Sequence, residues 1–524
     1  MSVPSALQAV EPCQPAVAAR APRPAVRAAA VAAAVVGWLA LAAVAPAAVA
    51  VVVAAAAALA LAQVALQLRA VWRARPAPPR APAAGAPAAG GAVGFVSVHV
   101  PICNEPPALV CRTLSALARM DGAFEVVVLD NNTADRAVWE PVRDHCLRLG
   151  RRFRFAHVDR LEGAKAGALT ECLRRTSPRA THVLTVDADY AVRPDLLERA
   201  AEAVRGAGAG PPVGAVQFPQ AYANTGGAEG LALAYRQFFA LAMPGAARDG
   251  AALLTGTLSL VSREALAAAG GWSARTITED ADLGVRLGAA GYRVVYAADR
   301  VGRGVMPTDL CALRAQRRRW ACGNAQALRA HGRHLRPALV HQLTYWASPL
   351  AVPVAALVAL AAVGAGGAAA AFAAHAAAVT VAGWLAGRAL VVGAAARADG
   401  QPLGVAARAW LAERGLAWET LTAGWEGALG ARLPFVRTSK DLGSGRARGA
   451  GPTLSVAFVL AASGAVLAAR GAPVAGALAL ASGAVVALGL AVLLRELRGA
   501  ARSAVPVHAE AAAVLAEARP ALAS

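Results

Sequence analysis

The 524-residue sequence is poor in lysine and in aromatic side chains. Its only lysines are Lys165 and Lys440, although lysine and arginine together number 52 and the net charge is +20. Aromatic residues make up 5% of the chain and no nucleic-acid-binding motif is present, so the charge does not indicate a nucleic-acid partner. The seven cysteines form no Cys-x-x-Cys pair, which argues against a disulfide framework and favours reduced cytoplasmic thiols.

Charged residues are also few, at 16%, whereas 57% of the chain is hydrophobic. Such a composition is unusual for a soluble enzyme and indicates membrane segments. Arginines flank the long apolar runs, as they do in cytoplasmic loops. We therefore expect a multi-pass protein of the inner or plasma membrane whose soluble domain lies in the cytoplasm.

Shifts of composition divide the chain into segments. Residues 405–429 carry tryptophan and leucine at helical spacing, which is typical of a helix that lies in the membrane interface. The predicted segments are a disordered amino terminus (1–26), a transmembrane helical hairpin (27–70), a linker (71–92), a soluble domain (93–336), two transmembrane helices (337–396), an interface helix and loop (397–451), two transmembrane helices (452–496) and a cytoplasmic tail (497–524).

Within the soluble domain, short apolar segments alternate with segments of helical periodicity. Residues 95–100 and 124–129 are examples of the first kind, and 106–118 and 137–149 of the second. Strands that alternate with helices form largely parallel sheets, which bind ligands at the carboxyl ends of their strands. Functional residues are therefore expected where the predicted strands end.

Two aspartates follow the apolar segment 183–186. Asp187 and Asp189 are two residues apart, so both carboxylates face the same side of an extended chain. Converging carboxylates repel each other unless a cation lies between them, and Mg²⁺ or Mn²⁺ carrying a diphosphate meets this need. An isolated Asp-x-Asp is also common as a solvated turn, so this pattern alone leaves both interpretations open.

Two other strand ends or loops carry polar residues suited to a nucleotide. Asp130 follows the strand 124–129, where a carboxylate could accept hydrogen bonds from a nucleoside. Lys165 lies in a loop of small residues, 162–168, that opens a helix and lets the backbone approach a phosphate. Taken singly, the first is explained as a turn and the second as a helix start.

The sequence TITED at residues 276–280 precedes another helical segment. Thr276 and Glu279 have the spacing of a capping box, which does not require Asp280. A carboxylate at a helix start is expected to be ionised and ready to accept a proton. Asp280 is therefore a candidate general base.

The sequence QRRRW at residues 316–320 precedes the returning apolar runs. On a helix, Gln316, Arg319 and Trp320 share a face because they are three and four residues apart. Arginine binds a diphosphate through its forked donors, and tryptophan offers a flat surface for a sugar ring. The alternative is a basic helix near the membrane with tryptophan as an interface anchor.

In this order and spacing, the motifs resemble the family 2 membrane glycosyltransferases, namely cellulose synthase and its relatives that make chitin, hyaluronan and β-glucans. The resemblance covers about residues 93–440 and implies an α/β GT-A (Rossmann-like) cytoplasmic domain inserted between transmembrane α-helices. Residues 434–440 are similar to the family's gating loop, with Thr438 and Lys440 at its polar positions. Arg437 departs from the pattern of the cellulose enzyme.

The resemblance implies a role for each motif residue. Asp280 would be the catalytic base, and Asp189 would bind the Mg²⁺ or Mn²⁺ cofactor. The residues implied in binding the nucleotide sugar are Asp130, Lys165, Asp187, Asp189, Gln316, Arg319, Thr438 and Lys440. Those implied in binding the acceptor are Trp320, Thr255 and Gly256. Thr255 stands where the cellulose enzyme has cysteine, which leaves the linkage open.

The activity implied is inverting transfer of a sugar from a UDP-sugar to a growing β-glycan that leaves through the enzyme's own helices. The partners would be the UDP-sugar donor, the polysaccharide acceptor and the lipid bilayer, with no nucleic acid; accessory subunits stay open. Residues 130–142 (DNNTADRAVWEPV) and 277–292 (ITEDADLGVRLGAAGY) resemble bacterial β-1,3-glucan synthases more than cellulose synthase. This favours glucose and a β-1,3 linkage.

Three alternatives remain at this point. The enzyme could be a synthase of the cellulose, chitin or hyaluronan type. It could instead be a non-processive transferase acting on a lipid or a short acceptor, which product size would distinguish. A membrane transporter or assembly subunit with an inactive nucleotide domain is a third interpretation, which metal-dependent release of UDP would exclude.

Overall fold

The computed structural model describes residues 24–73, 93–334, 336–364, 366–431, 433, 438–439 and 449–517, without the side chains of residues 24–31, 333 and 517. In this part of the chain the strands are β1 (Val96–Ile102), β2 (Phe124–Asn131), β3 (Phe153–Val158), β4 (His182–Thr185), β5 (Ala191–Val192), β6 (Val213–Gln217), β7 (Ser259–Ser262), β8 (Arg293–Tyr296) and β9 (Gly302–Arg303).

Seven of these strands form one sheet in the order β3-β2-β1-β4-β7-β6-β8, and β5 pairs with β9 separately. β7 runs antiparallel to both of its neighbours, whereas the other pairs of the large sheet are parallel. The prediction of a largely parallel sheet is confirmed. Because β1, β2 and β4 are parallel neighbours, their carboxyl ends meet at one edge.

The helices of the soluble domain and the helix that leads out of it are α3 (Pro107–Ala118), α4 (Arg136–Leu149), α5 (Ala164–Arg174), α6 (Leu196–Arg205), α7 (Glu229–Gln237), α8 (Met243–Arg248), α9 (Arg263–Ala268), α10 (Glu279–Ala289) and α11 (Leu310–Ala330). They are preceded by α1 (Pro24–Val44) and α2 (Pro46–Arg73) and followed by α12 (Pro337–Thr344), α13 (Ala351–Ala362), α14 (Ala368–Ala398), α15 (Leu403–Arg414), α16 (Ala417–Ala428), α17 (Gly451–Ala469) and α18 (Pro473–Glu517). A π-helical turn, Phe238–Ala242, joins α7 to α8, and a 3₁₀ turn, Gly332–His334, follows α11.

The core of the soluble domain explains why the sheet forms. Every residue of β2 is buried, and so are all of β1 except Pro101. Such buried strands need cover on both faces, as parallel sheets with helices on each side provide. Apolar side chains of α3, β1, β2, β4 and β7 share one cluster, which fixes the sheet edge where the predicted site residues lie.

Four described helices are long and apolar enough to cross a membrane: Pro46–Arg73, Ala368–Ala398, Gly451–Ala469 and Pro473–Ala516. Ala32–Val44 and Ala351–Ala362 are shorter apolar helices. Six spans are predicted from the sequence, and in the described residues four helices are long and apolar enough to be such spans. The first part of the predicted transmembrane segment 337–396 is divided between α12 and α13 by a non-helical segment.

The helices of the structure begin or end differently from three of the predicted boundaries. Residues 24–26, predicted to be disordered, begin α1 with proline at its first position, where the missing N–H costs nothing. The single interface helix predicted over 405–429 is two helices, α15 and α16, which are separated at Gly415 and Leu416. The tail predicted to begin at residue 497 continues α18 as far as Glu517.

A buried ionic network joins the long apolar helices α2 and α14 to the helix α15. Arg388 on α14 donates to Gln67 on α2 at 2.7 Å and to both oxygens of Glu413 on α15 at 2.8 and 3.0 Å. Arg414 donates to the same carboxylate at 2.9 Å. Both arginine side chains are less than a tenth exposed, so Glu413 neutralises charge that water cannot reach.

Glu413→Gln should destabilise the chain by about 3 kcal/mol, because it leaves two buried guanidinium groups without a carboxylate. Thermal unfolding in detergent micelles measures the effect. Glu202→Gln is the control, since its pair with Arg199 is exposed and should contribute under about 0.5 kcal/mol. Equal unfolding temperatures for both variants would contradict this account of the network.

Candidate active site

Lys165 is the cation around which the site is built. The αL backbone of Gly163 starts α5 one residue before Ala164 and places Lys165 in its first turn. Its Nζ donates to Asp187 Oδ1 at 2.6 Å and to the carbonyl oxygen of Gly256 at 2.8 Å. Glu279 Oε1 lies 3.9 Å from the same nitrogen. One ammonium group therefore links segments from β4, β7 and α10.

Asp187 and Asp189 follow β4, as predicted, and both line the same cleft. The backbone N–H of Asp187 donates to Thr257 Oγ1 at 3.0 Å. Asp189 is 4% exposed, and its Oδ2 accepts from the N–H of Val305 at 2.8 Å. The two carboxylates are thus held by different neighbours, Asp187 by the ammonium of Lys165 and Asp189 by a backbone amide.

Asp280 lies in the first turn of α10, with its Oδ1 accepting from the N–H of Ala281 at 2.8 Å. The capping box predicted for Thr276 and Glu279 is wrong. The helix cap is Thr278, without a side-chain hydrogen bond, and the hydroxyl of Thr276 donates to the carbonyl of Thr278. The start of α10 is therefore free to present its acidic residues to Lys165 and to the cleft.

Gly256 provides the close approach between this helix and the β7 side of the cleft. Its φ is +79°, and a Cβ there would lie 2.8 Å from Asp280 Oδ2 and 3.2 Å from Lys165 Nζ. Glycine alone adopts this backbone readily and leaves that space open. The carboxylate of Asp280 and the ammonium of Lys165 therefore meet over the backbone of Gly256.

The electrostatics of the site differ from the expectation of an ionised helix-start carboxylate. Burial raises the pKa of Asp280, although Lys165 opposes the rise. Burial, together with Asp280, raises the pKa of Glu279 to about 7. Burial by itself would lower the pKa of Lys165, but Asp187 and Glu279 raise it above its usual value, so the ammonium stays charged.

A base is active only when it is ionised, so activity should fall as the pH drops through the raised pKa of Asp280. The pH–rate profile of sugar transfer measures this fall. Its acidic limb should lie above the ordinary pKa of an aspartate, about 3.9, because burial raises the pKa of Asp280. An acidic limb at or below that ordinary value would contradict the assignment of the buried Asp280 carboxylate as the base.

The QRRRW sequence lies on α11, as predicted. Gln316 accepts a hydrogen bond from the hydroxyl of Tyr235 on α7. Arg319 Nη2 lies 3.3 Å from Thr438 Oγ1, and burial lowers the pKa of this arginine. Trp320 stands edge-on to Tyr235, with ring centroids 6.0 Å apart. The helix thus directs the predicted face toward the cleft.

The middle residue Arg317 has a role that the sequence did not indicate. Its guanidinium carbon lies 4.1 Å from the ring centroids of both Tyr235 and Trp346 and 5.1 Å from that of Trp320. A cation over aromatic faces is attracted by their quadrupoles. Arg317 therefore helps to hold the ring of Trp320 in place, and the arginine is itself only 5% exposed.

Asp130 does not line the cleft. It is 1% exposed, with Oδ1 accepting from Thr133 Oγ1 at 2.7 Å and Oδ2 within 2.6 Å of His157 Nδ1. Burial raises its pKa despite these partners. His157 in turn stacks on Trp139, with centroids 4.5 Å apart. The predicted contact of Asp130 with a nucleoside stays a prediction, as does that of Lys440, which lies outside the described residues.

Ten of the predicted site residues line one cleft of about 620 Å³. They are Lys165, Asp187, Asp189, Thr255, Gly256, Asp280, Gln316, Arg319, Trp320 and Thr438, the last of which belongs to the predicted gating loop. A larger cavity of about 1370 Å³ lies between β8, α8 and α12, but none of these residues lines it. The smaller cleft therefore carries the predicted catalytic and binding residues, and the larger cavity does not.

A row of small cavities continues from the cleft into the helical bundle. The cleft shares Thr278, Asp280 and Trp320 with a cavity of about 40 Å³. Trp346 lines this cavity and the next, which has about 50 Å³. That cavity shares Trp384 with a last one of about 40 Å³ among the apolar helices. Each of these spaces thus shares a tryptophan side chain with the next.

Sequence reasoning missed His157, Thr133 and Tyr235. His157 is the second-last residue of β3 and lies opposite Asp130 in the sheet, so its position near a parallel strand end was a usable signal. Thr133 follows Asp130 by three residues, the spacing of a polar turn. Tyr235 had no signal, because it reaches Gln316 only through tertiary packing.

The donor set fits a divalent cation only if a diphosphate completes it. Among the described residues, no group of three or more His, Cys, Asp or Glu could hold a metal ion. Mg²⁺ and related ions are commonly held by one or two carboxylates plus substrate phosphates. Asp187 and Asp189 at the edge of the cleft supply that number of carboxylates.

Comparison with known proteins gives one family match and several similar proteins. Residues 182–386 match the family model described as Glycosyl transferase family group 2. Probable glucomannan 4-beta-mannosyltransferase 10 of Arabidopsis thaliana is 30% identical over 250 residues, which cover 45% of this chain and 44% of that protein. Probable glucomannan 4-beta-mannosyltransferase 3 of Oryza sativa subsp. japonica is 32% identical over 251 residues, with 45% and 44% covered.

Among solved structures, the mannosyltransferase PcManGT from Pyrobaculum calidifontis in complex with GDP-Man and Mn²⁺ superposes with a TM-score of 0.46 and 21% identity. The superposition covers 74% of this chain and 100% of that one. The chain spans less than half the length of the curated relatives named above.

The sheet, the cleft and the family match define a GT-A-like glycosyltransferase domain. Residues 182–386 match a family 2 glycosyltransferase domain and the curated relatives named above are similar to this chain, so the resemblance predicted from the sequence is confirmed. The predicted class of enzyme, a hexosyltransferase of this family, is supported by the same matches.

Proposed function

We propose that the chain transfers a hexosyl group, with inversion, from a nucleoside diphosphate sugar to the end of a growing β-glycan. The observation that carries this proposal is the convergence of Asp187, Asp189, Asp280, Arg319 and Trp320 on one cleft at the carboxyl edge of the sheet. Two carboxylates for a metal–diphosphate, a carboxylate base and an aromatic platform are the groups that such a transfer requires.

The step is a single displacement. The acceptor oxygen forms a bond to the anomeric carbon while the bond from that carbon to the diphosphate oxygen breaks. The acceptor proton passes to Asp280, and the electron pair of the broken bond leaves with the nucleoside diphosphate. Asp280 lines the same cleft as Trp320, on which the acceptor sugar would stack.

Cationic groups of the chain offset the charge of the leaving diphosphate. Arg319 reaches the cleft beside Thr438, and its fork of donors suits diphosphate oxygens. A divalent cation held by Asp187 and Asp189 would supply further charge stabilisation when bound. Lys165 now pairs with Asp187, so the diphosphate would enter a site whose carboxylates are already held in place.

The row of cavities favours a processive synthase over a single-transfer enzyme. It begins at the base and runs past Trp320, Trp346 and Trp384 among helices long and apolar enough to cross a membrane. Aromatic faces suit sugar rings, whereas the small volumes admit only a few water molecules. A chain of sugars would therefore advance only when these side chains move.

We place the protein in the inner or plasma membrane, with α2, α14, α17 and α18 as spans and the catalytic domain on the cytoplasmic side. Arg69 and Arg73 at the end of α2 pair with Asp249 of the soluble domain, at 3.0 and 3.7 Å. Arginines at the end of a span favour the cytoplasmic face.

The donor expected from the sequence is UDP-glucose, with a β-1,3-glucan as product. A second candidate is a mannosyl donor and a β-1,4-linked product, because the curated relatives are named glucomannan 4-beta-mannosyltransferases. A screen of UDP- and GDP-sugars on purified protein, with Mg²⁺ or Mn²⁺ and then linkage analysis, decides between them. Absence of metal-dependent nucleotide release with every donor would contradict the enzyme proposal.

Asp280→Asn should abolish sugar transfer, because an amide cannot accept the acceptor's proton. Binding of UDP should be largely preserved, since Asp280 is not among the groups proposed to hold the diphosphate. Radiolabelled product formation and UDP titration calorimetry measure the two properties. Loss of both, or retention of transfer, would count against the base assignment.

Gln342 offers a test of the acceptor side. It is fully buried, both polar atoms of its amide lack a partner, and it lines the 40 Å³ cavity behind Asp280. Gln342→Leu should raise the unfolding temperature, because it removes a costly buried amide. It should also lower the transfer rate by about tenfold, because a donor to the acceptor's hydroxyl groups is lost.

Gln237→Leu is the matched control. Gln237 is equally buried and equally unpartnered but does not line the cavity. The Gln237→Leu protein should have a raised unfolding temperature for the same reason, and its rate of sugar transfer should not change. Equal activity in both variants would remove Gln342 from the acceptor site.

A further inference from the structure

The last helix connects the membrane-type bundle to the soluble domain. α18 has 45 residues, so it is about 68 Å long at roughly 1.5 Å per residue, more than twice the ~30 Å of a bilayer core. Its distal residues Val507 and Ala511 are buried against Leu109 and Val305 of the soluble domain. A helix that begins among the spans therefore ends beside the segment that follows β9.

One buried side chain ties this helix to that segment. Asn224 is fully buried and accepts from the N–H of Met306 at 2.7 Å. Its amide nitrogen donates to the carbonyl of Met306 at 3.1 Å and to the carbonyl of Ala500, on α18, at 3.3 Å. Asn224 thus fixes the backbone of Met306 from both sides and relates it to the helix.

The neighbouring residue carries the contact to the metal site. The N–H of Val305 donates to Asp189 Oδ2 at 2.8 Å. Asp189 is 4% exposed and Val305 fully buried, so the placement of this carboxylate follows the placement of the Val305 backbone. The contacts form a continuous path from the carbonyl of Ala500 through Asn224, Met306 and Val305 to Asp189.

Close approach of two glycines seats the helix on the Asn224 loop. Gly227 has a φ of +70°, and a Cβ on it would lie 3.3 Å from the Cα of Gly499 on α18. A Cβ on Gly499 would overlap the backbone of Gly227. The distance between α18 and the loop therefore depends on the absence of a side chain at Gly499.

We propose that Asn224 is a positioning residue for the metal–diphosphate site, and that α18 sets the position of Asp189 through it. The inference rests on the proposed function, since it takes Asp189 as a ligand of the divalent cation. Movement of the span formed by α18 would then change the affinity of the soluble domain for the cation and its nucleotide. Product passage and donor binding would be coupled through one helix.

The test is the dissociation constant of Mn²⁺ for the full-length protein with UDP bound, measured by electron paramagnetic resonance of free Mn²⁺. Asn224→Ala should raise this constant by about tenfold or more, as losses of groups that orient metal ligands commonly do. Circular dichroism and gel filtration establish that the variant is folded. A folded Asn224→Ala protein with an unchanged constant would overturn the inference.

Gly499→Ala tests the same path from the helix, and it decides the matter if Asn224→Ala does not fold. It should also raise the Mn²⁺ constant, because the added methyl group displaces α18 from the loop. Glu510→Gln is the control: it removes the ion pair of Glu510 with Arg112 further along α18, and Glu510 is more than half exposed, so Mn²⁺ binding should not change.

The outcomes separate this inference from the proposed function. Wild-type protein that binds Mn²⁺ and UDP but transfers no sugar would contradict the proposed function alone. Folded Asn224→Ala and Gly499→Ala proteins with wild-type Mn²⁺ constants, alongside normal transfer, would contradict the coupling alone. Weakened Mn²⁺ binding in both variants but not in Glu510→Gln supports it.

Discussion

The cleft depends on one buried ammonium group among carboxylates. Lys165 contacts Asp187 and lies near Glu279 and Asp280, which come from distant parts of the chain. Without that charge, three acidic residues could not all stay ionised so close together, because each ionised carboxylate would raise the pKa of the others. The lysine favours the ionised form of these carboxyl groups, in which they can bind a cation and accept a proton.

The membrane-type helices are organised to meet this cleft. The row of cavities starts at Asp280 and passes between tryptophans, while Arg388, Arg414 and Glu413 form a buried ionic network along its wall. The helix α18 returns to the soluble domain and reaches the backbone that holds Asp189. The helical bundle thus contacts the cleft at two places, beside Asp280 on the acceptor side and beside Asp189 on the metal side.

The sequence predicted the parts of the site that depend on local pattern. Strand ends and helix faces located Asp187, Asp189, Arg319 and Trp320, because period-2 and period-3.6 spacing determine which side chains share a face. The local pattern at residues 276–280 suggested a capping box, but the tertiary requirement of Lys165 for carboxylates determines how α10 starts. The surroundings of Asp130 could not be predicted from local pattern, because its two partners come from a turn and from the next strand.

The longer-range features had no local signal. The docking of α18 depends on Asn224 and on the approach of Gly227 to Gly499, which are separated from each other by most of the chain. The turn between α15 and α16 also lies close to α18, since a Cβ on Gly415 would lie 2.8 Å from Cδ2 of Leu493. Such contacts follow from tertiary packing, which a pattern of single residues does not encode.

The most direct test of the central claim is an experimental structure of the full-length protein with UDP and Mn²⁺. The account predicts the diphosphate in the 620 Å³ cleft, between Asp189 and Arg319, with Asp280 and Trp320 on its acceptor side. Nucleotide bound in the 1370 Å³ cavity between β8, α8 and α12, with the cleft empty, would contradict it.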